Sequence, residues 1–275
     1  MAKESQTILT GRDTEILESI DRFPLTPAQL CKLSATFSMP FCDVHNVRRR
    51  LRKLSASGLV KAFPYAVASF GSSPAYYQLT RAGYRLLHGH DAELPTRRFF
   101  DAIGQARHPH TWSLVDFLVH LFVVTHRADG EIRHFTRENS VAIKTSTITL
   151  RPDAGFQIWL NGRAYNFVVE LDNGSERVRS RIDVESIERK IRGYDSHSQS
   201  LAAYDSSRYV VLFVTTRSPE RLKHLMAAAD SIMQNNQRTL FLGGNLDDLL
   251  NRQTLLTDCC FLTPQFSHTS MIPKV

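Results

Sequence analysis

RPDAGFQIWLNGRAYNFVVELDNG, residues 151–174, reads as two strands joined by a tight hairpin. Asn161-Gly162 is the turn, because both positions tolerate the positive φ that such turns need. Ala164 to Leu171 is apolar nearly throughout, as expected of a strand in the interior of a sheet. Asp172-Asn173-Gly174 then ends it. The acids on this hairpin have a pattern. Asp153 begins the first strand after Pro152, while Glu170 and Asp172 close the second, two residues apart. Positions i and i+2 of a strand point to one face, so both carboxylates can converge, and Asp153 can join them across the hairpin. Three carboxylates on a sheet edge form a hard-oxygen site suited to Mg²⁺ or Mn²⁺. Such an ion activates water and stabilises a phosphate under attack. Acids at strand ends also serve as plain turn formers. Glu170 fits that role less well, because an unpaired charge ending an apolar strand is costly.

The flanking text extends the sheet. His110 to Val124 predicts an apolar helix, and Ile132 to Thr136 a short strand after the Asp129-Gly130 turn. Val178 to Tyr194 predicts a helix with Val184, Ile187 and Ile191 inward. Tyr209 to Thr215 is a second buried strand, and Ser218-Pro219 starts a helix reaching about Met233. Thr239 to Leu242 reads as a strand, Gly243-Gly244 as a turn, and Asn245 to Asn251 as a short helix. From Thr254 no pattern is visible. The expectation is an α/β domain over 109–253, a mixed sheet flanked by helices, with an irregular tail at 254–275.

Residues 10–90 differ in character. Asp13 can cap a helix carrying Ile16, Leu17 and Ile20, and Thr26-Pro27 starts a second helix. A third runs from about Cys42 to Ser55, with Val44, Val47, Leu51 and Leu54 as one stripe. Its other face carries Arg48, Arg49, Arg52 and Lys53, with Arg50 near the edge. Gly58 stops it. Leu59–Phe63 and Tyr76–Leu79 predict two strands around a loop at 64–74, and Thr80 caps a last helix. RLRKLSASGLVKAF followed by YYQLTRAGYRLL resembles the winged helix-turn-helix family over about 70 residues. That resemblance implies a recognition helix in the DNA major groove, here the one with Arg48, Arg49, Arg52 and Lys53. Arginine pairs bidentately with guanine, and either cation neutralises phosphate. Residues 91–108 predict a linker helix.

Composition agrees with two parts. Of 275 residues, 42% are hydrophobic and 22% charged, which excludes a disordered or fibrous chain. The net charge of +7 is uneven. Residues 1–100 hold 14 Lys/Arg against 8 Asp/Glu, whereas 101–275 hold 20 against 19. The excess therefore sits in the first third, as a nucleic-acid footprint requires. No apolar run approaches 18 residues, since Leu114–Val124 is broken by Asp116 and His120. No signal-peptide core opens the chain, and Cys31, Cys42, Cys259 and Cys260 form no CxxC pair. A cytoplasmic protein with reduced thiols is expected, with no membrane partner.

RPDAGF and VVELD also resemble the two halves of the PD-(D/E)XK nuclease superfamily, with Asp153 and Glu170 as the acids. The chain departs from it where Asp172 takes the place of the usual lysine. Lys190, in IERKIRGY on the next helix, can supply that cation from a shifted position. The whole series, winged helix, PDAGF, FVVELDNGSE and ERKIRGY, resembles the replication-relaxation family over about residues 10–215. That family is similar to the MOB-C class of conjugative relaxases. The resemblance implies Asp153, Glu170 and Asp172 as ligands of Mg²⁺ or Mn²⁺, and Lys190 as cationic helper at the scissile phosphate. Glu138, Glu185 and Glu188 are further candidates with weaker claims. The implied function is metal-dependent nicking of double-stranded plasmid or mobile-element DNA. The alternative is a catalytically inactive DNA-binding accessory factor or regulator with a degenerate nuclease fold; a protein-interaction module whose basic helix meets an acidic partner comes third. A homodimer is compatible with a winged helix, though no heptad or apolar stripe marks an interface.

Other chemistry lacks a signature. His88-Gly89-His90 and His108-Pro109-His110 have Gly or Pro between the histidines, which suits surface histidines better than a metal pair. Tyr194 and Tyr204 read as packing residues rather than nucleophiles. There is no P-loop, GxGxxG or GxSxG.

Overall fold

The computed structural model describes residues 9–66, 74–138, 140–145, 148–174, 178, 186–202, 205–235 and 237–273. Glu185, Tyr204 and most of the loop between the two N-terminal strands lie outside the described residues. The chain divides into two compact units, Met1–Val123 and Val124–Val275.

The first unit opens with α1 (Gly11–Arg22), α2 (Pro27–Leu33) and α3 (Val44–Ala56). Thr10, not Asp13, is the N-cap of α1. Asp13 stands three residues on and accepts from the Thr10 backbone and hydroxyl at 2.8 and 2.9 Å. Thr26 caps α2 with Pro27 in its first turn, and Asp43 caps α3 by accepting from the Asn46 amide at 2.8 Å. Val47, Leu51 and Leu54 of α3 are buried, as are Ile16, Leu17 and Ile20 of α1. Full burial of such side chains stabilises by about 1.5–3 kcal/mol each. Gly58 ends α3 at φ +69°. A hairpin of β1 (Val60–Pro64) and β2 (Ala75–Leu79) follows, with Leu25 bridged to Tyr77 on its far side. Thr80 caps α4 (Arg81–His88).

The expected linker helix is not formed. Residues 97–99 and 105–107 make two 3₁₀ turns, and α5 (His108–Arg127) begins only afterwards. Pro95 and Gly104 interrupt any longer helix. The segment is instead tied down by side chains. Phe99 and Phe100 pack on Tyr84, and the Ile103 amide donates to the Tyr76 hydroxyl at 2.8 Å. The compact division also falls later than the sequence boundary at 109. Trp112 stacks edge-on to Tyr65, Asp116 accepts from Gln29 at 2.9 Å, and Phe122 meets Phe23. Most of α5 therefore belongs to the first unit.

The second unit is built on a seven-stranded mixed sheet. In chain order its elements are β3 (Glu131–Arg137), β4 (Ile143–Lys144), β5 (Thr149–Leu150), β6 (Ala154–Leu160), β7 (Arg163–Asp172), α6 (Ile187–Ser200), β8 (Val210–Thr215), α7 (Pro219–Ile232), β9 (Phe241–Asn245), α8 (Leu246–Leu250), β10 (Phe261–Leu262) and β11 (His268–Thr269). The sheet runs β11-β10-β9-β8-β7-β6-β3, while β4 and β5 form a separate small hairpin. β3, β6 and β7 are antiparallel; β7, β8 and β9 are parallel, joined by α6 and α7. The pairing of β3 with β6 shifts register between Arg133 and Thr136, where His134 has φ +50°. Val168, Val211, Phe213 and Phe241 share one core with Ile187, Ile191 and Tyr194 of α6 and Leu225, Met226 and Ala229 of α7.

Three local expectations change. The helix after β7 starts at Ile187, capped by Ser186, and runs on to Ser200. Gly243 and Gly244 lie inside β9 rather than in a turn. A Cβ on Gly243 would sit 2.7 Å from Leu222 Cδ1, so the bare backbone is what lets α7 pack closely. The tail is not irregular throughout, because β10 and β11 extend the sheet with Phe261 buried. Strands of two residues are too short to leave a periodicity. Among the described residues no helix is long and apolar enough to cross a membrane, and all four cysteines are free.

Candidate functional site

The acids converge at one end of β3, β6 and β7. Asp153 immediately precedes β6. Its backbone amide donates to the Val169 carbonyl at 2.9 Å, and its Oδ2 accepts from the Leu171 amide at 2.8 Å. It is thus stitched to the residues on either side of Glu170. Glu138 follows the last residue of β3, which pairs with Ala154, and its carboxylate lies within 4.8 Å of that of Asp153.

Glu170 is 3% exposed. Lys190 Nζ of α6 lies 3.0 Å from its Oε2, and the Tyr194 hydroxyl donates to Oε1. Lys190 and Tyr194 are four residues apart on one helix, hence on the same side of it. Burial pushes the Glu170 carboxyl up, to about 7; the Asp153 charge adds to this, while Lys190 and Tyr194 oppose it. Burial and the charge of Glu170 hold the Tyr194 phenol protonated, far above its ordinary range.

Asp172 shares the face of Glu170, as the two-residue spacing requires, but has different partners. Arg221 of α7 grips it with Nε at 2.9 Å on Oδ2 and Nη2 at 2.8 Å on Oδ1. Thr215 Oγ1 donates to Oδ2 at 3.0 Å and the Gly174 amide to Oδ1 at 3.0 Å. Burial alone would raise its pKa; the Arg221 fork, the Gly174 amide and the Thr215 hydroxyl outweigh it and hold the carboxyl below the usual range. The structure therefore gathers Asp153, Glu170 and Lys190 with Glu138, and ties Asp172 to α7.

On the first unit, Arg48, Arg49, Arg52 and Lys53 are all exposed on α3. Arg50 is not part of that set, because Asp13 and Thr10 clasp it.

A family model described as replication-relaxation matches residues 22–209. The chain belongs to the replication-relaxation family. A solved structure, protein VC1899 from Vibrio cholerae, aligns at 9% identity with a TM-score of 0.31, over 89% of this chain and 52% of that one. The present chain thus spans about half the length of that protein. No curated protein matches the sequence.

In this replication-relaxation protein the family match takes in Asp153, Glu170, Lys190 and Tyr194, and ends before Thr215 and Arg221. Sequence reasoning missed two members of the arrangement. Tyr194 packs as expected, yet it also holds Glu170; its spacing from Lys190 was the available signal. Arg221 left none, since SPERLKH reads as an ordinary helix start. The histidines divide. His90 is exposed and His88 pairs with Asp21 at 3.0 Å. His108 is buried, contrary to the surface expectation: its Nδ1 accepts from the Ala66 amide at 2.7 Å, and its Nε2 lies 2.9 Å from the Ile103 carbonyl. Donating there fixes a neutral tautomer.

Proposed function

We propose that the chain binds double-stranded DNA through a winged-helix first unit and nicks it in a nuclease-like second unit during plasmid or mobile-element replication or mobilisation. The observation that carries this reading is the buried Glu170, held between Lys190 and Tyr194 with Asp153 stitched beside it. A purely structural glutamate has little reason to sit nearly fully buried beside a second carboxylate, given the cost of confining like charges. The order of helices and hairpin, with four exposed cations on α3, supports the DNA-binding half.

The donors suit a hard divalent cation such as Mg²⁺ or Mn²⁺: the carboxylates of Glu138, just after β3, and Asp153, just before β6, lie within 4.8 Å of one another, and Glu170 of β7 stands beside Asp153 with a further pair of oxygens. Asp153 and Glu170 are the principal ligands, with Glu138 as a third. Asp172 spends both oxygens on Arg221, Thr215 and Gly174, which supports a positioning role in place of the ligand role expected from sequence. A bound cation would supply Lewis-acid activation of water and of the phosphate. The protein's own residues do the rest. The Leu171 amide fixes the Asp153 carboxylate, and Tyr194 orients Glu170. Lys190 compensates the Glu170 charge and, turned to a phosphate, stabilises the charge that develops there.

One observation favours the alternative of an inactive fold: Lys190 and Glu170 already satisfy each other. Incubating supercoiled DNA bearing the protein's own replication or transfer site with Mg²⁺ or Mn²⁺ separates the two. Wild type should yield open circles, and Asp153→Ala and Glu170→Ala should not. Equal survival of the DNA with all three proteins would end the nuclease reading.

A further inference from the structure

The four exposed cations of α3 do not form one surface. Asn46, Arg49, Arg50 and Lys53 recur at i, i+3, i+4 and i+7, so they share one face, and all four line a groove of about 670 Å³ that the start of α1 and the 38–42 loop complete. Arg48 and Arg52 lie one position round the helix and are not part of its lining. The groove is a built feature. The Glu15 carboxylate accepts from the Ser38 amide at 2.7 Å, and Ser34 Oγ accepts from the Phe41 amide at 3.0 Å, which seats the loop against α1 and α2. The Arg12 guanidinium stands 4.8 Å above the Phe41 ring. Its Nε is buried and has no hydrogen-bond partner among the described residues. Among the described residues no acidic side chain lines the groove. Of the nearby acids, Asp13 is turned to Arg50 and Glu15 to Ser38, and Asp43, exposed at the start of α3, accepts from the Asn46 amide and side chain.

The geometry points to a division of labour: this groove grips the DNA phosphate backbone with Arg12, Arg49 and Lys53, while Arg48 and Arg52 face the base edges. The inference rests on the reading that the first unit binds DNA. A phosphate strand suits the site because it needs cations and donors without sequence-specific acceptors, and because phosphate contacts set register while base contacts set specificity. Arg12 is the residue that no reading of α3 alone would include.

The test is fluorescence anisotropy of the full chain with labelled duplexes between about 50 and 200 mM salt. Arg12→Ala and Lys53→Gln should each weaken binding to every duplex alike and lower the slope of log K against log salt by about 1. Arg48→Ala and Arg52→Ala should instead alter the ranking of duplexes. Should Arg12→Ala and Lys53→Gln keep the wild-type affinity and slope while the Arg48 and Arg52 variants lose binding, the groove assignment falls and the DNA reading stands. A wild-type chain that binds no duplex overturns both. Because Arg12 stacks on Phe41, a readout on the unaltered protein accompanies its variant. Cys42 is exposed and lines the groove. Saturating duplex should slow its alkylation by iodoacetamide several-fold, measured on the Cys42 peptide by mass spectrometry. An unchanged rate overturns the assignment.

Discussion

Glu170 and Asp172 are two residues apart on one strand, on one face, and both buried, yet they lead opposite chemical lives. Glu170 meets one lysine and one phenol from α6 and keeps its proton more tightly than a free carboxyl. Asp172 meets a full guanidinium fork from α7, the Thr215 hydroxyl at the end of β8 and the Gly174 amide just after its own strand, and gives its proton up more readily. The strand decides which way a carboxylate points; the helix above it decides what that carboxylate is for. Four satisfied acceptor contacts make a clasp. A buried acid with fewer donors and a second acid beside it has its proton held more tightly.

The comparison breaks if the two residues respond alike to truncation. Asp172→Ala takes the carboxylate away from the Arg221 fork, and removing one partner of a buried ion pair costs about 3–5 kcal/mol. Urea unfolding should show this as a large drop in midpoint, whereas an unchanged midpoint would deny the clasp. Glu170→Gln should do the reverse, abolishing nicking of supercoiled DNA while the urea midpoint stays close to wild type. Tyr194→Phe lies between them. Loss of its bond to a buried carboxylate should cost about 1–3 kcal/mol, and loss of ligand orientation should slow nicking by about 10–100-fold.

The smallest effect carries the sharpest sign. Glu170 binds its proton more tightly folded than unfolded, so in EDTA its ionisation should lower stability as pH rises from about 4.5 to about 7. Asp172 works the other way: its contribution is complete above the ordinary carboxylate range and is lost as pH falls through its depressed folded value. Urea midpoints of wild type and Glu170→Gln, compared across pH 4 to 8, should therefore diverge with the variant relatively more stable at the upper end. Parallel curves would contradict the raised pKa.

Much of this was legible in the sequence, for physical reasons that can be named. The Asn161-Gly162 turn fixes the β6–β7 register, and the register sets Asp153 beside Glu170. The stripe of Val47, Leu51 and Leu54 orients α3 and leaves its cations outside. Spacing in α6 carries Lys190 to Glu170. What stayed hidden depends on contacts distant in sequence. Asp172 looked like a ligand because nothing local announces Arg221, 49 residues on. His108 looked superficial because Pro109 suggested a loop, yet it lies buried against Tyr65 and Tyr76. Arg50 reads from sequence only as a cation near the edge of that face, and it is Asp13 that claims it. In each case the pairing partner, rather than the residue's own neighbourhood, set its role.

The break in the β3 ladder at His134 has a consequence for life in a crowded cell. A border strand with a continuous row of open amides and carbonyls invites another polypeptide to add itself. Here the register shift interrupts that row on one margin, and the two-residue β11 shortens it on the other. Among the described residues neither margin offers a long uninterrupted template for a further strand.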